Sequence, residues 1–166
     1  YWQEIDRRLQ YALDRHPQVV IQLIPYGEDT EELLRYSRGD RMSKAVAQYA
    51  QARLSAYPNV IWCVSNDHKI VADGAQMKKG SVPGSVIDLI AREMANRESW
   101  GTLLTNHQAR HTGYAFVDAK WSNITTLEDL DQVHGGILLE YRAKSSVPVI
   151  NDEDRYELYK PPTNPR

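Results

Sequence analysis

Two acidic stretches, far apart in the chain, each follow an apolar run closely enough to do chemistry at the end of a buried strand. Residues 60–64 read Val-Ile-Trp-Cys-Val behind Pro58 and Asn59, and Asn66 and Asp67 come directly after them. Val147, Pro148, Val149 and Ile150 form the second run, followed by Asn151, Asp152 and Glu153. In sheets and barrels of parallel strands the ligand site lies at the carboxyl ends of the strands. Two carboxyl groups meeting there across a sugar can divide glycosidic cleavage between them: one protonates the departing oxygen, and the other attacks the anomeric carbon or activates water. The plainer alternative is that these acids make turns or cap helices. Asp152 and Asp154 beside Glu153 also leave the attacking residue open by one position.

Positioning such acids requires strands that run in parallel, and the pattern of the chain is consistent with that. Trp2, Ile5, Leu9, Ala12 and Leu13 recur at helical spacing up to Pro17, and residues 19–24 form an apolar strand closed by Pro25, Tyr26 and Gly27. Gly39 and Asp40 break any helix begun around residues 31–36, and a clear helix spans about 43–56 before the run at 60–64. Residues 69–84 read as a long loop of the kind that shapes a site. Val86, Leu89, Ile90 and Met94 mark the next helix, residues 100–105 the next strand, and Asn106, His107 and Gln108 sit at its end. His107 is therefore a candidate substrate contact, with an incidental surface histidine as the alternative.

Residues 114–117 read as a weaker strand, and Thr125-Thr126-Leu127-Glu128 as a capping box opening a helix. Residues 137–143 fit a helix better than a strand, because 147–150 makes the better strand. Strands alternating with helices, without tight hairpins, predict parallel strands joined by helical crossovers. A complete (β/α)8 barrel needs at least about 200 residues. The chain is thus read either as an open α/β sheet or as a piece of such a TIM barrel lacking the first two strands and the last. Residues 1–158 would be the partial barrel, and 159–166, with three prolines, a linker or broken-off loop.

Composition narrows the partners. With 42% hydrophobic and 25% charged residues the chain is an ordinary globular one, long enough for a single core. No run approaches the roughly 18 apolar residues a membrane-crossing helix needs, and Tyr1 begins inside an amphipathic pattern, so the start reads as a cut end. A formal charge of −2 with mixed signs offers no attraction for nucleic acid or an anionic membrane. The single cysteine, Cys63, cannot form an internal disulfide and suits a small buried hydrophobe. Ten Tyr and four Trp against one Phe suit sugar clefts as well as interfaces. Tyr26, Trp62, Trp121 and Tyr156 are the aromatic candidates for sugar contact, with core packing the alternative for each and the stronger one for Trp62.

The stretch from Tyr57 to Asn66-Asp67, together with Val147 to Glu153 and Tyr156-Glu157, resembles the apiosidase-like glycoside hydrolases of the large (β/α)8 clan. The resemblance runs from Trp2 to Glu157 and is specific around the two acids. It implies a retaining glycosidase acting on O-glycosyl bonds of oligosaccharide or plant cell-wall polysaccharide. Asp67, ending the fourth strand, would be the acid/base, held protonated by burial and its neighbour's charge; Glu153, ending the seventh, would be the ionised nucleophile. Asn66, His107, Trp121, Tyr26 and Tyr156 would bind substrate. No cofactor and no metal is implied, and the remainder of the barrel or a partner chain is an expected partner. A periplasmic or extracellular location follows from kinship alone. Two other readings stay open: a metal-dependent hydrolase drawing on Asp67, His68, His107, His111 and Asp152, without the tight spacing such sites show, and a non-catalytic carbohydrate-binding barrel fragment.

Overall fold

A computed structural model describes residues 1–128 and 136–153. The apolar spacing at the start of the chain forms α1 (Trp2–Arg15), with Glu4 in its first turn accepting hydrogen bonds from Arg7 and Arg8 at 2.7–2.8 Å. After β1 (Ile21–Leu23) come α2 (Thr30–Ser37) and α3 (Arg41–Leu54). Each of these helices opens on an aspartate. Asp29 accepts from the amides of Glu31 and Glu32, and Asp40 from those of Met42 and Ser43, so donors that the first turn leaves unpaired are satisfied. The Gly39-Asp40 break therefore both ends α2 and starts α3, two residues earlier than the spacing predicts.

β2 (Val60–Cys63) is buried along its whole length, as its unbroken apolar run requires. It pairs in parallel with β1 on one side, Ile21 opposite Val60, and with β5 (Leu104–Thr105) on the other, Trp62 opposite Leu104. The expected loop at 69–84 holds a small parallel pair of its own, β3 (Lys69–Val71) with β4 (Ser81–Pro83), which leads into α4 (Gly84–Arg97). Leu33, Tyr36, Ala50, Leu54, Val60, Trp62, Ile87, Ile90 and Met94 form the core between strands and helices. The Tyr36 hydroxyl donates to Glu93 Oε2 at 2.7 Å, and Lys44 pairs with the same carboxylate, which ties α2, α3 and α4 together. No helix among the described residues is long and apolar enough to cross a membrane.

Several expected elements shift. Residues 114–117 form turns, not a strand, and Tyr114 and Phe116 are core side chains. A strand forms instead as β6 (Thr125–Glu128), where a helix cap was expected. The β-branched Thr125 and Thr126 pair in parallel with Val149 and Ile150 of β7 (Val149–Glu153), and all four β6 residues are buried. Strand packing thus outweighs a capping pattern that happens to match. The helix expected after Glu128 falls partly on residues 129–135, and the tail 159–166 entirely, outside the described residues. The strand expected at 100–105 shrinks to its last two residues, because Gly101 takes a left-handed conformation, φ 74°, and Trp100 stays exposed. The helix expected at 137–143 forms as α5 (Ile137–Lys144).

β5 and β6 are joined through side chains. Thr105 Oγ1 lies 3.0 Å from Thr126 Oγ1, and the Thr126 hydroxyl donates to the Asn106 carbonyl at 2.9 Å. From the other end of the array, the Gln22 amide of β1 donates to Asp152 Oδ2 of β7 at 3.2 Å. The result is an α/β fold with parallel strands whose carboxyl ends converge.

Candidate active site

The ends of β2, β5, β6 and β7 deliver Asp67, His107, Glu128 and the pair Asp152–Glu153 to one place. Beyond β2 the chain is fixed before it reaches Asp67: the Ser65 amide and hydroxyl donate to Asn106 Oδ1 at 3.1 and 2.9 Å, and the Asn66 amide donates to the Gly27 carbonyl at 2.9 Å. Asp67 then adopts a left-handed backbone, φ 55°, one of only two non-glycine residues to do so among the described residues. Aspartate tolerates that region better than most residues. Beyond β5 the His107 amide reaches both the Ser65 carbonyl, at 3.1 Å, and the Cys63 sulfur, at 3.0 Å. Burial and the charge of Asp152 push the Cys63 thiol up, so it remains the inert buried group expected.

His107 is the hub. Its ring is 3% exposed; Nδ1 lies 3.1 Å from Asp152 Oδ2, and Nε2 lies 3.4 Å from Glu153, 3.5 Å from Asp67 and 3.7 Å from Glu128. Burial alone would lower its pKa; the Asp152 hydrogen bond and the charges of Asp152, Asp67 and Glu153 outweigh burial and raise it. The surrounding carboxylates thus favour the protonated ring, and at 3% exposed it offers little surface to a substrate.

Glu128 is the carboxylate that the sequence reading missed. Its side chain is 3% exposed and accepts a hydrogen bond from Arg110 Nε at 2.5 Å. Burial raises its pKa, Arg110 lowers it, and the hydrogen bond and charge of Asp67 raise it again; the net direction is upward. The signal that could have found it is the rule that found the other two acids: Thr125, Thr126 and Leu127 make a short strand-forming run, with an acid at its end.

Exposure sorts the four carboxylates. Side-chain exposure is 36% for Asp67 and 18% for Glu153, against 3% for Glu128 and 9% for Asp152. A ligand arriving from solvent meets the first two, while the others sit behind them. Asp67, His107, Glu128 and Glu153 each bring one donor atom within 4.8 Å of the rest. A small cation could bridge atoms so spaced, held by three carboxylate oxygens and a neutral imidazole nitrogen. His68 stands apart, fully buried with Nε2 3.1 Å from Thr30 Oγ1.

The remaining expected contacts separate. Asn66 is half-buried beside Asp67, with its amide 3.4 Å from Asp67 Oδ2. Tyr26 is 7% exposed, donates to the Ser43 carbonyl at 3.0 Å and packs edge-on against Tyr36, so it serves the core, where its apolar ring is most stable. Trp121 is 5% exposed; its indole N–H donates to Asp88 of α4 at 2.9 Å and its ring packs on Phe116. Neither presents a ring to a sugar. Trp62 lies in the core with its N–H on Ser55 Oγ at 2.8 Å. Tyr156 lies outside the described residues.

The chain matches the family described as "Apiosidase-like, catalytic domain" over residues 1–165. No curated protein matches it. Among solved structures it is similar to a glycoside hydrolase family 5 protein from Bacteroides vulgatus ATCC 8482, with a TM-score of 0.68 and 19% identity over 95% of this chain and 35% of that one. A protein of the same organism assigned to the glycoside hydrolases gives a TM-score of 0.67 and 20% identity over 94% of this chain and 29% of that one. The chain thus spans about a third of the length of these structures, and at such identity the likeness is one of fold.

Proposed function

Because the chain belongs to the apiosidase-like catalytic-domain family, we propose that its carboxylates cleave O-glycosidic bonds of plant cell-wall polysaccharide by a retaining, two-step displacement. Glu153 attacks the anomeric carbon while Asp67 gives its proton to the departing oxygen, leaving a glycosyl ester on Glu153. Asp67, now a carboxylate, takes a proton from water; the water oxygen attacks the same carbon, and Glu153 leaves as a carboxylate. Asn66, beside Asp67, contacts the sugar. In this reading β1, β2, β5, β6 and β7 are the third to seventh strands of a (β/α)8 barrel, with the remaining strands supplied by further chain or a partner.

One observation carries the reading. Of the four carboxylates, the two most open to solvent are Asp67 and Glu153, and they place donor oxygens within 4.8 Å of each other. Oxygens no farther apart than that support the closer pairing of retaining enzymes, roughly 5–5.5 Å between carboxyl groups, over the roughly 6.5–9.5 Å of inverting ones.

Asp67→Asn and Glu153→Gln test it against a pooled plant-polysaccharide panel. Asn tolerates a left-handed backbone, so the first substitution removes charge without added strain. Both variants should lose cleavage, and chelation should change nothing. Full activity in Glu153→Gln, or loss with chelator, overturns the reading.

A further inference from the structure

We propose that the cluster is also an inhibitory zinc site, in which His107 Nε2, Glu128 Oε2 and one oxygen each of Asp67 and Glu153 hold the ion and cleavage stops while it is bound. The site stands on geometry; only the inhibition rests on the two-carboxylate reading.

Two buried atoms point to a bound ion. His107 Nε2 and Glu128 Oε2 belong to side chains only 3% exposed, and neither has a hydrogen-bond partner. They face each other at 3.7 Å, and Nε2 also stands 3.5 Å from Asp67 Oδ1 and 3.4 Å from Glu153 Oε2. A charge-assisted hydrogen bond would draw one of these oxygens to about 2.7–2.9 Å. Instead all three stand off at nearly equal distances. Tetrahedral zinc, with bonds of about 2.0–2.2 Å to imidazole nitrogen and carboxylate oxygen, sets its ligand atoms about 3.3–3.6 Å apart. The three nitrogen-to-oxygen distances lie close to those edges. The ligand atoms as a set lie within 4.8 Å of one another, so the partly exposed carboxylates of Asp67 and Glu153 close on the ion by turning about their side-chain bonds.

The groups behind the ligands are those a zinc site needs. A metal-bound imidazole commonly gives its other ring N–H to a carboxylate, which aims the ligating nitrogen's lone pair at the ion. Here Asp152 Oδ2 lies 3.1 Å from Nδ1 and itself accepts from the Gln22 amide. Glu128 Oε1 is fixed by Arg110 Nε at 2.5 Å, which leaves Oε2 turned inward. The imidazole selects zinc over magnesium and calcium, which take oxygen ligands. The ion enters past Asp67, whose side chain is 36% exposed, and displaces any proton on Nε2. Once bound, it occupies both the acid/base and the attacking carboxylate.

Isothermal titration of zinc chloride into the full 166-residue chain, stripped of metal, tests the site without substrate. A single zinc ion should bind, and magnesium or calcium at the same concentration should not. Imidazole 15N NMR should show His107 Nε2 as the nitrogen that shifts. Glu128→Gln and Asp67→Asn should each weaken binding by more than the roughly 10–100-fold that loss of an outer partner costs. Asp67 is partly exposed, so its variant keeps the fold even if the buried Glu128 variant does not. Saturating zinc should abolish cleavage by the wild type and chelator should restore it, while chelator alone leaves the metal-free enzyme unchanged. Absent binding, unchanged affinity in both variants, or a shift at another histidine in place of His107 overturns the site and leaves the glycosidase reading standing. Zinc that binds as described and leaves cleavage intact overturns the inhibition, and counts against Asp67 and Glu153 as the reacting pair.

Discussion

Asp152 and Glu153 are consecutive residues, yet both carboxylates reach the same imidazole, one 3.1 Å from His107 Nδ1 and the other 3.4 Å from Nε2. In a regular strand, neighbours point to opposite faces. Here the β6–β7 register slips: Leu127 pairs with Asn151, but Glu128 pairs with Glu153, so Asp152 is the extra residue of a bulge. A bulge redirects side chains at a strand end. This one turns Asp152 inward to Gln22 and His107 while leaving Glu153 partly open to solvent.

The two neighbours should therefore fail in different ways. Asp152→Asn breaks a buried charge pair and should destabilise the fold by about 3 kcal/mol or more, while leaving measurable cleavage. Glu153→Gln should hold the melting temperature near that of the wild type and abolish turnover. Thermal melts paired with activity assays decide the matter. The opposite pattern, a stable but inactive Asp152→Asn, would move the nucleophile to position 152.

His107 should make stability depend on pH. Its pKa is higher folded than unfolded, so folding takes up a proton near neutrality. Its contribution is fully present below the unfolded value of about 6.5 and is lost as pH rises through the folded value. The melting temperature should thus fall as pH is raised from about 6. His107→Gln should flatten that slope and cost about 3 kcal/mol at pH 6, with less lost at high pH, because the carboxylates around it lose their shared counter-charge. An identical slope in the variant would show that folding does not raise the imidazole's pKa.

What could be read in advance was whatever depends on local pattern. β2 is a continuous apolar run and α3 and α4 carry helical spacing, so strand ends at Asp67 and His107 followed directly. Glu128 was hidden because Thr-Thr-Leu-Glu satisfies a helix cap and a strand equally well, and only pairing with Val149 and Ile150, some 24 residues on, decides between them. Asp152 was obscured for a related reason: a bulge belongs to a pair of strands, and no single strand's alternation encodes it. Tyr26 and Trp121 were open to two readings because an aromatic next to a strand end looks the same whether its ring faces a cleft or a helix.

Gly113 sets how the loop beyond β5 meets α5, and a single methyl group there should show it. Its backbone is left-handed, φ 71°, and an added Cβ would overlap the hydroxyl of Tyr141, which accepts a hydrogen bond from the Tyr114 amide at 2.9 Å. Gly113→Ala thus combines about 1–2 kcal/mol of backbone strain with about 1 kcal/mol from the displaced hydrogen bond. Gly74, also left-handed at φ 79° but with nothing near its Cβ position, provides the control and should show the strain alone. Measured by denaturant melts, Gly113→Ala should be the costlier substitution by about 1 kcal/mol, and Tyr141→Phe should shrink that gap by removing the hydroxyl. Equal losses at the two glycines, unaffected by Tyr141→Phe, would mean that α5 does not dock on this loop.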